Sequence, residues 1–180
     1  VLRLNRMLSD LLDLSRADNN QLKLLREKFD CLSSLREALH LAKVAFPDKN
    51  ITLNDHDFES PIWAIGDPDR LVQCLKNLIG NAVKYSNLDS IIELDFNVKD
   101  DCVLFSVIDH GQGIADDQQE RIFERFQRAD GVTLRRGDSS SGLGLSIVKM
   151  LMEGMGGSVD VQSKVGVGSC FILVLQRSEC

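Results

Sequence analysis

Apolar positions change period several times along the chain, and each change marks an element. Near the N-terminus Leu4, Met7, Leu11 and Leu14 recur at alternating spacings of three and four, and Leu8 and Leu12 broaden the stripe. This repeat predicts the end of a long helix over 1–18, with a seam that packs against another helix. The polar stretch 17–21, Ala-Asp-Asn-Asn-Gln, breaks the pattern and is the best domain boundary in the chain. Residues 21–30 read as a strand leading into a helix over 32–46, which Pro47 follows. Strands are predicted at 50–54 and 61–65. Asp67 suits a helix N-cap and Pro68 the first helical position, so a helix runs from there to Tyr85.

Two strands follow, at 90–98 and 102–109. In the second, Val103, Phe105 and Val107 alternate with Cys102, Leu104, Ser106 and Ile108, a period of two that separates two faces. A short helix is predicted at 116–122 and a loop rich in Arg, Asp, Ser and Gly over 124–141. Gly142 is expected to open a helix to about 155, and strands at 157–163 and 169–176 finish the chain. Consecutive strands come as hairpins rather than in βαβ alternation. The predicted fold is therefore α+β: a two-layer α/β sandwich, with a mixed sheet under a helical layer and an N-terminal helical extension.

Composition narrows the function classes. The chain has 180 residues, 43% of them hydrophobic, enough for one domain plus an appended element. A net charge of -6 argues against a dedicated nucleic-acid binder. There is no run of 18 apolar residues to span a membrane and no visible signal peptide. The first residue is Val1 rather than Met, which is expected of a fragment whose parent carries more upstream. The five cysteines form no CxxC pair and are odd in number, as expected of reduced thiols in a cytosolic protein. His40, His56 and His110 lack metal-ligand spacing.

Three segments carry candidate chemistry. On the helix 68–85, Leu71, Leu75, Leu78 and Ala82 share the face expected on the sheet, whereas Gln73, Asn77, Asn81 and Lys84 share another. Asn is a poor helix former, so two of them one turn apart need a reason. One reading is a solvated polar face. The other is a row of amide oxygens able to hold Mg²⁺, with Lys84 beside phosphate and Tyr85 stacked on a flat ring. Next, the strand ending at Asp109 runs into His110-Gly111-Gln112-Gly113-Ile114. Such a turn either is an ordinary Asp-rich turn or lets a ligand approach closely, with Asp109 accepting from an exocyclic amine as adenine would offer. Finally, Ser141-Gly142-Leu143-Gly144-Leu145-Ser146 opens an apolar helix, and its free N–H groups suit a polyphosphate. It matches neither a P-loop nor a dinucleotide fingerprint. The loop between these segments is of lid length. Phe123 and Phe126 are expected to anchor its start, and Arg128 is the best of its arginines to meet phosphate.

In order, these segments resemble the boxes of histidine kinases in the GHKL ATPase superfamily. DRLVQCLKNLIGNAVKYS looks like the N box, DHGQGI the first glycine box, FERFQRAD the F box, SGLGLSIV the second glycine box and GVGS the third. The resemblance covers roughly 21–177 and implies a Bergerat-type sandwich binding ATP with Mg²⁺. It implies Asn81 and Asn77 as metal ligands, and Asn81 and Lys84 as the catalytic pair. Lys84 would face phosphate, Tyr85 the nucleoside and Asp109 the adenine amine. Gly111, Gly113, Ile114, Phe126, Arg128, Ser141, Gly142, Leu143, Gly144 and Leu145 would complete the nucleotide pocket.

On this likeness residues 1–20 would be the end of a dimerisation helix with its linker, and 21–180 the catalytic domain. No His-Glu or His-Asp pair occurs in the N-terminal helix, so the phosphorylated histidine would lie outside the chain. The implied partners are the His-bearing dimerisation domain of the same protein, a response-regulator receiver domain and a second copy in a homodimer. The implied location is cytoplasmic, with a possible membrane anchor upstream. The helix bears no Glu beside Asn81, which favours transfer to histidine over water attack. A nucleotide-binding pseudokinase, a serine kinase or ATPase of the same superfamily, and a structural dimerisation module stay open as alternatives.

Overall fold

The computed structural model describes residues 8, 11–16, 19, 21–54, 60–127 and 142–178. Its centre is strand β5 (Cys102–Asp109), paired antiparallel with β4 (Ile92–Val98) on one side and β7 (Gly168–Gln176) on the other. Strand β6 (Ser158–Lys164) lies antiparallel outside β7, and β2 (Ile51–Leu53) runs parallel to β4 at the far edge. The order is β2-β4-β5-β7-β6, a mixed sheet as expected. A separate antiparallel ribbon joins β1 (Glu27–Asp30) to β3 (Trp63–Gly66).

The period-two pattern of β5 decides which face is covered. Val103, Phe105 and Val107 are wholly buried, while Leu104, Ser106 and Ile108 on the opposite face are only half-buried. The buried face enters a core shared with helices α2 (Cys31–Ala45), α3 (Pro68–Tyr85) and α4 (Gly144–Gly154). Helix α3 lies between the other two and also touches β5. Its Leu71, Leu75, Leu78 and Ala82 are buried, as the spacing predicts. Each leucine so buried contributes about 2 kcal/mol. The helix starts where expected because the Asp67 carboxylate accepts from Arg70 N (3.2 Å) and Pro68 occupies the first turn. Asp30 caps α2 in the same way through Leu32 N (3.1 Å).

Three expectations need correction. Residues 21–26 are not strand, although 27–30 are. Leu25 N donates to Asp67 Oδ2 (3.1 Å), so a distant side chain takes the place of a ladder partner. The segment 116–122 forms two 3₁₀ turns, Asp116–Gln118 and Arg121–Phe123, neither with a side-chain cap. Helix α4 begins at Gly144, because Gly142 has φ of 68° and lies outside the right-handed helical region.

Residues 11–16 are helical and form α1. Leu14 and Asp13 are buried, whereas Leu8, Leu11 and Leu12 are exposed. Asp13 Oδ2 accepts from Arg70 Nη1 (2.9 Å) and from Gln73 Nε2 (3.3 Å), so α1 is latched to the first half of α3. The expected seam residues Leu4 and Met7 lie outside the described residues.

Candidate functional site

The C-terminal half of α3 supplies the first wall. Asn77 is buried, and Asn81, Lys84 and Tyr85 are half-buried, so a solvated face does not describe this row. Gln73 leaves it: its amide oxygen takes Arg70 Nη1 at 2.7 Å. The Lys84 ammonium donates to Tyr85 Oη (3.0 Å) and sits 4.6 Å from that ring's centre. The cation and the aromatic ring are thus presented together.

The Asp109 turn supplies the second wall. Asp109 is only 5% exposed, and its Oδ1 accepts from Gly111 N (2.9 Å). Burial pushes its carboxyl above the usual carboxylate range; the Gly111 and Ser169 backbone N–H groups and the charges of His110 and Lys49 pull the other way. Ser86 bridges Gly111, so the turn lies against the end of α3. Only glycine fits there: a Cβ on Gly111 would overlap the Tyr85 carbonyl and lie 2.8 Å from Asp109 Oδ1. Gly113, at φ 71°, packs equally closely on the Lys164 carbonyl. Ile114 N donates to Ser163 Oγ (2.8 Å). His110 is an exposed turn residue paired with Glu93 (3.0 Å), and that hydrogen bond holds the Glu93 carboxyl below its usual range.

The start of α4 is the third wall. Gly144 lies alongside α3, since a Cβ there would stand 3.9 Å from Asn77 Oδ1. Leu143 is buried and Leu145 is half-buried, and the N-cap residue Leu143 makes no side-chain cap hydrogen bond among the described residues. Phe126 N donates to Gly142 O (3.0 Å), tying the two loop ends together. The expected aromatic anchor is only half right. Phe123 packs edge-on against Phe171, with ring centres 6.4 Å apart. Phe126 is 68% exposed and adopts a left-handed backbone with φ of 62°. Arg128 and Ser141 lie outside the described residues.

The structure therefore brings together a buried carboxylate, two amides, an ammonium, an aromatic ring and a helix N-terminus. These match the parts of a nucleotide: an amine-bearing base, a flat nucleoside and a polyphosphate. The amide oxygens of Asn77 and Asn81 are a hard donor set suited to Mg²⁺, and the side-chain-free Gly144 leaves room beside Asn77. Sequence reasoning missed Ser163 and Lys49 and noted Ser169 only as the last residue of the GVGS turn; all three support these walls from outside. Lys49 Nζ donates to the carbonyls of Asn87 and Leu88, fixing the loop after α3.

Fold and site define a nucleotide-binding α/β sandwich. The profile of the histidine kinase-, DNA gyrase B-, and HSP90-like ATPases matches residues 66–179, and the chain belongs to that family as an ATP-binding domain of the histidine kinase type. It is 36% identical over 173 residues to the sensor-like histidine kinase SenX3 of Mycobacterium tuberculosis, covering 96% of this chain and 42% of that protein. It is 32% identical over 177 residues to the sensor protein SrrB of Staphylococcus aureus, covering 98% of this chain and 30% of that one. The chain thus spans less than half the length of these relatives. Among solved structures, full-length ShkA in complex with AMPPNP is 30% identical, with a TM-score of 0.80 over 99% of this chain and 37% of that one. The Acinetobacter baumannii histidine kinase AdeS, 23% identical, shares the fold with a TM-score of 0.77 over 99% of this chain and 81% of that one. Among the described residues no helix is long and apolar enough to cross a membrane.

Proposed function

We propose that this domain binds Mg·ATP between α3, the Asp109 turn and the start of α4, and passes the γ-phosphoryl group to a histidine outside the chain. The observation that carries this is the buried Asp109 carboxylate, held by Gly111 N–H against the end of α3 that bears Lys84 and Tyr85. Asp109 would accept from the adenine amine, and Tyr85 would flank the nucleoside. The α4 N-terminus, with Gly142 and Gly144, would receive the phosphates. Asn77 and Asn81 would hold Mg²⁺, which when bound would neutralise phosphate charge.

Transfer forms a bond from the histidine nitrogen to the γ-phosphorus and breaks the bond to the β–γ bridging oxygen, releasing ADP. Lys84 would stabilise charge on the moving group once it leaves Tyr85. The protein's part is then positioning and electrostatics. The only acid on α3 is Asp69, in the first turn and far from Asn81, so the helix offers no base to activate water. The histidine would come from a dimerisation domain of the same protein in a homodimer, and a receiver domain would take the phosphoryl group next. Use of cellular ATP would put the site on the cytoplasmic side.

The test is to incubate the chain with labelled ATP, Mg²⁺ and a separately produced His-bearing helical domain of the same protein. Acid-labile, base-stable label on that domain, absent with Asn81→Ala, is the expected result. Acid-stable label, or none while ATP is bound, would contradict transfer to histidine.

A further inference from the structure

We propose that Ser163 is a positioning residue for base recognition, which sets the hydrogen-bonding polarity of Ser169 beside Asp109. The proposal rests on the nucleotide reading above. A serine hydroxyl has one hydrogen to donate and two lone pairs to accept with. Ser163 Oγ lies 2.8 Å from the carbonyl oxygen of Gly168, which can only accept, so its one hydrogen goes there. It lies 2.8 Å from Ile114 N, which can only donate, so it accepts there. Its third neighbour is Ser169 Oγ at 3.0 Å. With its hydrogen committed, Ser163 accepts again, and Ser169 must be the donor.

The consequence falls on the candidate base pocket. Ser169 and Asp109 are direct cross-strand partners in the β5–β7 register, and both are buried. The Ser169 backbone N–H also supports the Asp109 carboxylate. Once Ser169 has given its hydrogen to Ser163, its hydroxyl keeps only lone pairs. An ionised Asp109 likewise only accepts. This corner therefore offers acceptors alone. That suits a base edge bearing an amine and opposes one bearing a carbonyl, for which a donor would be needed. Ser163 is itself held in place, because its carbonyl accepts from Gln119 Nε2 (3.0 Å), which also reaches Ile114 O (3.3 Å).

The test is calorimetric titration of the full chain with non-hydrolysable analogues of ATP and of inosine triphosphate, both with Mg²⁺. The two bases differ at the amine-or-carbonyl position and at the adjoining ring nitrogen, which accepts in adenine and donates in hypoxanthine. Ser163→Ala frees the Ser169 hydrogen to turn towards a ligand carbonyl. The adenine-over-hypoxanthine preference should fall by about 5- to 10-fold, the worth of one hydrogen bond. Ser163→Thr keeps the hydroxyl and should keep the preference. Equal weakening of both ligands by Ser163→Ala, with the ratio unchanged, would overturn the proposal, as would a Ser163→Thr protein that behaves like the alanine variant. Should Ser163→Ala melt too low to titrate, Ser169→Ala carries the same test: a reduced ratio supports the proposal and an unchanged ratio overturns it. Wild-type protein that binds neither analogue would instead overturn the nucleotide reading, and this proposal with it.

Discussion

Replacing Asp109 by Asn should separate binding from folding. The carboxylate is buried, and burial already disfavours its charged form. An amide of the same shape removes that cost and retains an oxygen for Gly111 N (2.9 Å). What it loses is the charge and one acceptor, where its NH₂ now points a donor at the ligand. A hydrogen bond to a charged group is worth about 1.5–3 kcal/mol, and an opposed donor adds to the loss, so a total of about 2–4 kcal/mol is expected. That corresponds to a fall in ATP affinity of roughly 30- to 1000-fold. Stability should change by no more than about 1 kcal/mol, or about 4 °C in thermal midpoint. Calorimetric titration and thermal denaturation on the same samples measure both. Asp109→Asn protein that binds ATP normally would refute the base-recognition role. A fall of more than about 10 °C with binding lost in proportion would show Asp109 to be structural instead.

Other expectations follow from the same geometry. Because burial raises the Asp109 pKa, its acceptor should be lost on acidification at a higher pH than for an ordinary carboxylate. ATP affinity should fall as pH drops through that range, and Asp109→Asn should flatten the profile. Gly113→Ala puts a methyl group into the Lys164 carbonyl and 2.9 Å from Val165 Cα, at a φ of 71°. A loss of about 2–4 kcal/mol in urea denaturation is expected, from overpacking together with left-handed strain. Asp13→Ala removes the acceptor of Arg70 and Gln73 on α3. It should cost about 1–3 kcal/mol and quicken proteolysis around residues 11–21, with little change in ATP affinity.

Legibility in the sequence followed how local each cause was. Helix α3 was readable because its start is written in adjacent Asp67 and Pro68, and its buried stripe in the spacing of Leu71, Leu75, Leu78 and Ala82. Strand β5 was readable because its alternation reflects two faces of unequal burial. The error at 21–26 has the opposite origin. Alternating Leu22 and Leu24 do pack on the core, but the backbone bond that settles the segment goes to Asp67, 42 residues away from Leu25. The site divides in the same way. Glycines at 111, 113, 142 and 144 announce themselves by spacing, and the buried Asn77 by its poor helix propensity. Ser163 and Lys49 act through contacts that only the folded chain assembles.

The central claim is that these walls form an adenine-nucleotide pocket. The most direct measurement is calorimetric titration of the wild-type chain with a non-hydrolysable ATP analogue and Mg²⁺, set against the guanine counterpart. The account predicts saturable one-site binding of the ATP analogue, a clear preference for it over the guanine nucleotide, and weakening by Asn81→Ala. Folded protein that takes up no nucleotide, or takes both bases equally, would contradict it.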